Sequence, residues 1–350
     1  MKIAICGDIH FCKNYSIINQ RGADFSKRLE NCIKSINWFE GIAKQNNCDL
    51  EVFLGDVFDS ASLDDETITA INYICWNDIP KAAVVGNHES SSADLIYNSL
   101  NVLTKLANFS IYAQPTVVYP TINNKATDLQ LCYLPYLLER DRKPLAECLT
   151  NNETGAKRII FSHNDINGIQ LGPIISKTGF TIEEIETNCD LFINGHLHNG
   201  QKITDKIINL GILTGKDFGE DANKYAHNVL ILDTDTLKYE YIENPYAFNF
   251  YKLEILKKAD LEKFKKLKNN AVVSIKCVPE FANDVKKIIE EQKTSICAHR
   301  MIIAQADTKS VAVLDAADLT KDHLAKFIEC CKEKLDNTDI LDQELAEICK

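Results

Sequence analysis

The sequence lacks the Cys-x-x-Cys spacing that is typical of zinc knuckles and thiol redox sites. Its thirteen cysteines are odd in number and scattered along the chain. Many of them lie inside apolar runs, as Cys6, Cys132 and Cys277 do. A small secreted domain held together by disulfides has a different pattern. We therefore expect free, mostly buried thiols in the reducing environment of a cytoplasm.

Long hydrophobic runs are also missing. No stretch offers the roughly 20 consecutive apolar residues that a membrane-spanning helix needs. The apolar run within residues 1–8 is short and ends in a charge, so we expect a strand there rather than a signal peptide. Internal repeats and low-complexity segments are not found either. These observations favour a cytoplasmic globular protein that makes no contact with a membrane.

The chain has fewer basic residues than acidic ones, 39 against 50. The formal net charge of −11 argues against a protein that coats nucleic acid. The acidic excess lies in residues 1–250, because residues 251–350 carry equal numbers of basic and acidic side chains. Within the second part, residues 251–314 are net basic and residues 315–350 are net acidic. This distribution predicts an acidic body that is followed in the sequence by a basic module.

At 350 residues the chain is long enough for more than one domain. Asn244-Pro245 is a plausible boundary, since proline disfavours continuation of the preceding element. We expect a first domain over residues 1–245, a small α+β module over 250–315 and a C-terminal helical segment over 316–350. Apolar residues at helical spacing between Leu324 and Leu335 predict one amphipathic helix in that last segment.

Polar motifs end five short apolar runs of the first part. They are Gly7-Asp8-Ile9-His10, Gly55-Asp56, Gly86-Asn87-His88, Ser162-His163 and Gly195-His196-Leu197-His198. Ligands collect at strand ends in open α/β sheets, because the loops leave the core there. Any one of these histidines is more simply explained as a hydrogen-bonded loop residue. Five such motifs in one chain are better explained as the parts of a single site.

The donor atoms of these motifs are carboxylate and amide oxygens and imidazole nitrogens. This mixed set suits Mn²⁺, Fe²⁺ or Zn²⁺, and a soft thiolate site is not indicated. Two metal ions about 3.5–4 Å apart activate a water between them and clamp both oxygens of an in-line displacement at phosphorus. Asp56, placed after a predicted buried strand, suits the role of a carboxylate shared by both ions. In His196-x-His198, both imidazoles lie on one side of an extended segment.

These motifs resemble those of the calcineurin-like metallophosphoesterases. Within that family the chain is similar to nuclease subunits of the SbcD type and their phage relatives, which are counterparts of the eukaryotic meiotic-recombination nuclease. The resemblance spans residues 1–242 and includes Tyr133-Leu134-Pro135-Tyr136 and Asn167-Gly168. It implies an α/β fold, a four-layer α/β/β/α metallophosphoesterase sandwich, followed by a small α+β cap domain.

The resemblance also implies residue roles. One metal ion would be held by Asp8, His10, Asp56 and His198, and the other by Asp56, Asn87, His163 and His196. His88 would be a catalytic residue that binds no metal and assists the leaving oxygen. Two departures from the family pattern concern the surroundings of the site. Gly211-Ile212-Leu213 replaces the usual Gly-Ser/Thr-Pro, and Glu89 stands where Asp is usual.

By this resemblance the protein is a Mn²⁺-dependent DNA exonuclease and endonuclease subunit. It would act in double-strand break processing and recombination with an SbcC-like coiled-coil ATPase, in a bacterial or phage-infected cell. Helices predicted over residues 64–77 and 94–106 would form a homodimer, and the C-terminal helix would either dock on the ATPase or close the cap. The lysines of residues 252–268 either meet DNA or form a solvated helix face. Two alternatives stay open: a stand-alone metallophosphatase, and a DNA-end-binding scaffold with a slow or inactive site.

Overall fold

The computed structural model describes residues 1–105, 108–122, 125–149, 155–171 and 174–304. The predicted C-terminal helix, and with it the whole 316–350 segment, lies outside the described residues. Residues 1–304 form one compact unit. Every cysteine in the described part of the chain is a free thiol. No helix in that part is both long and apolar enough to cross a bilayer.

Two six-stranded sheets form the main body. In spatial order, the first sheet contains the strands Tyr239–Glu243, Asn228–Asp233, Lys2–Cys6, Leu50–Phe53, Lys81–Val84 and Phe109–Tyr112. The second contains Gln201–Lys202, Ile207–Asn209, Leu191–Asn194, Lys157–Ser162, Leu129–Leu134 and Thr116–Val118. The last four strands of the first sheet are parallel, as are the middle four of the second.

The two sheets pack face to face. Ile3, Ile5, Val52 and Leu54 of the first sheet belong to the same buried cluster as Phe161 and other apolar residues of the second. The alternate residues face outward into separate clusters: those of the first sheet pack on the helix Lys27–Gln45, and those of the second on the helix Ile182–Asn188. Parallel strands covered on both faces have near-continuous apolar sequences, which explains the runs at residues 3–6 and 52–54. The predicted α/β/β/α sandwich is confirmed.

The helices begin and end at recognisable signals. Ser26 caps the helix Lys27–Gln45 by accepting the Leu29 N–H at 3.2 Å. Thr181 and Glu184 form a reciprocal capping box at the start of Ile182–Asn188. The remaining helices are Asp65–Ile71, Leu145–Cys148 and Ala282–Glu291, with 3₁₀ turns at Ser99–Lys105, Glu139–Asp141, Lys258–Lys266 and Pro279–Phe281. Short two-residue strands pair at Thr121–Ile122, Lys125–Ala126, Ile166–Asn167, Gln170–Leu171, Ile174–Ile175 and Phe180–Thr181.

Two predicted helices differ from the structure. The helix expected over residues 64–77 ends at Ile71, because the following chain is tied elsewhere: Cys75 N–H donates to Asn37 at 2.7 Å. The α-helix expected over residues 94–106 is wrong, since Leu95 has a positive φ of 57° and only the 3₁₀ turn Ser99–Lys105 forms. An i, i+3 spacing of leucines fits a 3₁₀ turn as well as an α-helix.

A separate sheet of three parallel strands, Asn249–Ile255, Ala271–Cys277 and Ile296–Ile303, forms the small module. The first two strands were predicted and the third was not. The helix predicted over 260–267 is the 3₁₀ turn Lys258–Lys266, while the one predicted over 284–291 is the α-helix Ala282–Glu291. The domain limits inferred from sequence stay a prediction, since residues 1–304 form a single compact unit.

Candidate metal centre

All five predicted motifs meet at one edge of the sandwich. Lys2–Cys6, Leu50–Phe53 and Lys81–Val84 are parallel neighbours, so their carboxyl ends lie side by side. Lys157–Ser162 and Leu191–Asn194 are parallel neighbours in the facing sheet. The motif glycines let the loops approach closely: a Cβ on Gly195 would lie 2.6 Å from Leu54 O and 2.7 Å from Asp8 Oδ1.

Asp8, His10 and His198 form the first ligand group, with one donor atom from each within 4.8 Å of the others. The Nε2 atoms of His10 and His198 are 3.0 Å apart. Asp8 Oδ2 lies 4.0 Å from His198 Nε2, is buried and has no hydrogen-bond partner among the described residues. We call this group the first position.

Asp56, His163 and His196 form the second group. His163 Nε2 lies 3.2 Å from Asp56 Oδ2, and Asn87 Oδ1 lies 3.1 Å from His163 Nε2 and 3.0 Å from His196 Nδ1. We call Asp56, Asn87, His163 and His196 the second position. A further group of His10, Asp56 and His88 connects the two positions through Asp56. All seven residues predicted to bind metal are thus brought together, with Asp56 between the two positions.

The tautomers of these histidines show that the residues fit metal ions. Nδ1 of His10 lies 2.8 Å from Asp59 Oδ1, and Nδ1 of His198 lies 2.8 Å from Glu220 Oε1. An ionised carboxylate can only accept a hydrogen bond, so each Nδ1 carries a hydrogen, and each Nε2 presents a lone pair when its ring is neutral. Two lone pairs that face each other beside the unpartnered Asp8 oxygen call for a cation. Oxygen and imidazole donors in this number suit Mn²⁺, Fe²⁺ or Zn²⁺.

The electrostatics of the centre favour positive charge beside Asp56. Burial lowers the pKa of His10 to about 4, so its imidazole is neutral and available as a ligand at neutral pH. Burial also opposes charge on His163, but the Asp56 carboxylate raises the pKa of His163 to about 9. Burial alone would raise the pKa of Asp56, yet His163 and the other nearby histidines hold that pKa well below its usual value. Asp56 is therefore an ionised carboxylate in the protein interior.

The backbone is strained at three of the ligands. His10, Asp56 and His196 have positive φ angles of 49°, 46° and 69°. Non-glycine residues in this region cost on the order of 1–3 kcal/mol each and persist only where the surrounding structure enforces them. The carbonyl of Asp56 accepts the N–H groups of Ile9 at 3.0 Å and His10 at 2.9 Å, which fixes two of the strained loops to each other.

His88 lies at the open side of the centre, with 38% of its side chain exposed. Its ring stands edge-on to His10, with 4.8 Å between the ring centroids. Nδ1 of His88 is 3.1 Å from the carbonyl oxygen of Asp59, and its backbone N–H donates to Asp56 Oδ1 at 3.0 Å. With Nδ1 engaged by an acceptor, Nε2 is the ring nitrogen left to exchange a proton with a substrate.

The two departures from the family pattern are accommodated locally. The loop without the hydroxyl is held by its backbone, since Leu213 N–H donates to Asp8 O at 2.7 Å and Ile212 N–H donates to His198 O at 3.0 Å. Glu89 is fully buried and accepts the N–H groups of Gly86 at 2.8 Å and Phe58 at 3.2 Å. Its carboxyl group thereby ties the loop that carries Asn87 to the loop that carries Asp56.

Sequence analysis missed the residues that support the ligands. These are Arg28, Asp59, Asp165, Lys216 and Glu220. Lys216 and Glu220 come from the loop 214–220, Thr-Gly-Lys-Asp-Phe-Gly-Glu, which has no periodicity. The available signal was the presence of three charged residues, Lys216, Asp217 and Glu220, around two closely spaced glycines. Asp59 was visible as part of Gly55-Asp56-Val57-Phe58-Asp59, but no role was given to it.

Comparison with known proteins decides the family. The family model described as calcineurin-like phosphoesterase matches residues 1–200. The chain belongs to the calcineurin-like phosphoesterase family. Members of this family use divalent metal ions, so the metal-dependent hydrolysis of phosphoesters that the sequence predicted is confirmed at that level.

Individual relatives are remote. The phosphoesterase-like protein 078R of Invertebrate iridescent virus 3 is 22% identical over 371 residues, which cover 100% of this chain and 96% of that protein. A dimetal phosphatase from Danio rerio is similar at 12% identity and a TM-score of 0.38, over 70% of this chain and 99% of that one. A single mutant of Vps29 from Entamoeba histolytica is similar at 13% identity and a TM-score of 0.28, over 69% of this chain and 99% of that one. At these scores the structural likeness adds nothing to the family assignment.

Proposed function

We propose that this family member is a two-metal phosphodiesterase that cleaves DNA as an exonuclease and endonuclease subunit, with Mn²⁺ as its metal and an SbcC-like ATPase as its partner. The observation that carries the proposal is the position of Asp56 between two ligand groups, with His88 at the open side. Asp8, His10 and His198 would hold one ion, and Asn87, His163 and His196 the other, with Asp56 shared by both.

The bound ions would supply an activated water and stabilise charge at phosphorus. The residues of the chain do the rest. Burial of Asp8 and Asp56, both at most 2% exposed, excludes bulk water from the ligand oxygens. Asp59, through Nδ1–H of His10 and its carbonyl near His88, keeps both rings in place. His88 is positioned to give a proton from Nε2 to the departing sugar oxygen, a contribution worth about 10²–10⁴ in rate.

A cavity of about 210 Å³ lies beside Asn87 and offers room for the substrate. Its lining includes Tyr136, Arg140 and the hydroxyl-bearing residues Ser90–Ser92. An aromatic ring can stack on a base, and arginine can bind a further phosphate. Together with the nuclease-type motifs of residues 55–59 and 133–136, this lining favours a nucleic acid strand over a small phosphoester.

One observation favours the stand-alone phosphatase as a second candidate. Of the lysines predicted to meet DNA, Lys263, Lys265 and Lys268 are paired with Asp260, Glu262 and Glu243. A paired surface lysine releases fewer phosphate counterions on binding than a free one. The small module is therefore less basic in effect than its sequence indicates. The complete ligand set argues against the third candidate, an inactive DNA-end-binding scaffold.

A homodimer through residues 64–77 and 94–106 is also proposed, although these segments are less helical than expected. Exposed apolar side chains on both segments support it: Ile68, Tyr73, Ile96, Tyr97 and Val102 are between 39% and 83% exposed. Sedimentation of the wild-type chain beside Tyr97→Asp tests it. Dissociation by the substitution is expected, and a wild-type monomer at all concentrations would rule the dimer out. The cytoplasmic location stays a prediction.

The proposed activity is tested by Mn²⁺-dependent cleavage of labelled linear double-stranded DNA. The assay compares the wild type with His88→Ala and with a matched control, His299→Ala, whose side chain is exposed on the strand Ile296–Ile303 of the small sheet. We expect DNA cleavage by the wild type and the control, and a loss of about 10²–10⁴-fold in His88→Ala. Full activity in His88→Ala with both ions bound would refute the role of His88.

A diester and a monoester of p-nitrophenol, tested on the same samples, separate the candidates. Hydrolysis of the diester and of DNA supports the nuclease. Hydrolysis of the monoester alone supports the stand-alone phosphatase and contradicts the proposal. DNA binding without hydrolysis of any of these substrates supports the scaffold and also contradicts the proposal.

A further inference from the structure

The two metal positions differ in what holds their histidines. At the first position, both imidazoles are hydrogen-bonded by carboxylates: His10 by Asp59 and His198 by Glu220, each at 2.8 Å. At the second position, His163 Nδ1 lies 2.6 Å from the carbonyl oxygen of Leu54, and His196 Nε2 lies 3.3 Å from the half-buried Asp165. A carboxylate partner fixes the ring orientation and raises the basicity of the coordinating nitrogen more than a carbonyl does.

The two carboxylates at the first position are not equivalent. Asp59 is neutralised by Lys216, whose Nζ lies 2.8 Å from Asp59 Oδ1 and 4.4 Å from the centre of the Tyr15 ring. Glu220 is only 2% exposed, and its second oxygen accepts the backbone N–H of Lys216 at 2.6 Å. Glu220 bonds to His198 and to this N–H and, among the described residues, forms no ion pair with a lysine or an arginine. Its negative charge therefore acts on His198.

The loop that carries Glu220 is anchored by protein contacts on two sides. The buried Arg28 donates to Gly215 O at 2.6 Å and to Thr214 Oγ1 at 2.8 Å. On its other side, Phe218 packs edge-on against Phe250 of the small sheet, with 5.1 Å between the ring centroids. These contacts are made by protein atoms alone, which is the condition for a preorganised support.

We propose that Glu220 is a positioning residue for the first metal position: by holding Nδ1–H of His198, it sets the affinity of that position and leaves the second position unchanged. This inference rests on the two-metal centre of the proposed function but not on its substrate. It would stand if the protein bound two ions and cleaved no DNA.

The test is a calorimetric titration of metal-free protein with Mn²⁺, followed by electron paramagnetic resonance of the bound ions. Glu220→Ala is expected to lower the affinity for one of the two ions by about 10–100-fold. Glu220→Gln is expected to be intermediate, because an amide oxygen still accepts the Nδ1–H but carries no charge. At Mn²⁺ concentrations between the two dissociation constants of Glu220→Ala, this variant should give the spectrum of a single ion. The wild type should give the spectrum of a coupled pair at the same concentrations.

Two further variants assign the position. Asp165→Ala, the matched control beside His196, should weaken the other ion. Asp8→Asn removes the first position. In this background, Asp165→Ala should still lower the affinity for the remaining ion, and Glu220→Ala should leave that affinity unchanged. Melting curves in EDTA check that each variant folds, and Glu220→Gln carries the test if Glu220→Ala does not fold.

Three results would overturn the inference. The first is an equal loss of affinity at both positions in Glu220→Ala, and the second is no loss at either. The third is the loss of an ion by Glu220→Ala in the Asp8→Asn background. That result would make Glu220 itself a ligand of a separate ion, a geometry that its proximity to His198 and Asp217 permits.

Discussion

His10 and His198 present their Nε2 atoms to each other at 3.0 Å, although the two residues are 188 positions apart in the chain. Each ring has its Nδ1 beside a buried or half-buried carboxylate, so in the neutral form of either ring the lone pair lies on Nε2. Two imidazole lone pairs at this distance repel each other unless a proton or a metal cation lies between them. Together with the unpartnered Asp8 oxygen, this contact supports a metal ion at the first position.

The shared position of Asp56 predicts how much metal each variant retains. Asp8→Asn should lower bound Mn²⁺ from two ions per chain to one, because Asp8 belongs only to the first position. Asp56→Ala should remove most of both ions. Elemental analysis after desalting measures the content, and retention of two ions by Asp56→Ala would show that this carboxylate is not shared.

Two glycines provide opposite predictions for the same substitution. In Gly86→Ala the new Cβ would overlap Asp56 Oδ1, so we expect a loss of about 1–3 kcal/mol in unfolding free energy and weaker Mn²⁺ binding. In Gly41→Ala, in the helix Lys27–Gln45, the new Cβ meets nothing within 4 Å. There we expect a gain of about 0.5–1 kcal/mol and unchanged metal binding.

Urea denaturation and metal titration of both glycine variants measure these effects. Normal Mn²⁺ affinity in Gly86→Ala would mean that Asp56 tolerates displacement. Such a result would weaken the argument that close approach of the loops positions the ligands.

A buried charge cluster at the other end of the first sheet predicts a pH dependence of stability. Lys81 Nζ lies 3.4 Å from Glu40 and 3.2 Å from Glu51, and all three side chains are at most 3% exposed. One ammonium compensates one carboxylate. Burial, and then the charge of Glu51, raises the pKa of Glu40 to about 8, and burial raises that of Glu51.

The sign follows from proton linkage. Between about pH 4.5 and pH 8 the folded state holds a proton that the unfolded state has released, so stability falls as pH rises through this window. Between pH 5.5 and pH 8, we expect the unfolding free energy of the wild type to fall by on the order of 1–3 kcal/mol more than that of Glu40→Gln. The variant has no carboxyl proton at position 40 to lose. Urea denaturation at both pH values measures this, and equal slopes for the two proteins would contradict it.

Much of the fold and the ligand set was predictable because the signals are local. Parallel strands covered on both faces give continuous apolar runs, and in this fold the ligands stand directly after them. Asp8, Asp56 and His163 each follow such a run within a few residues. Their convergence could be inferred because the carboxyl ends of parallel strands share one edge.

The unpredicted features depend on distant parts of the chain. Glu220 supports His198 only because Arg28 and the small sheet hold the loop 214–220, and no periodicity records that. The α-helix expected over residues 94–106 is not formed because Leu95 adopts a positive φ, which its sequence neighbours do not reveal. Likewise, the helix Asp65–Ile71 ends early because the chain after it bonds to Asn37 and Glu40.

The most direct test of the two-metal centre is anomalous X-ray diffraction at the manganese edge from crystals grown with Mn²⁺. We predict two peaks about 3.5–4 Å apart on either side of the Asp56 carboxylate. One peak should lie among Asp8, His10 and His198, and the other among Asn87, His163 and His196. A single peak, or peaks that Asp56 does not contact, would contradict the account.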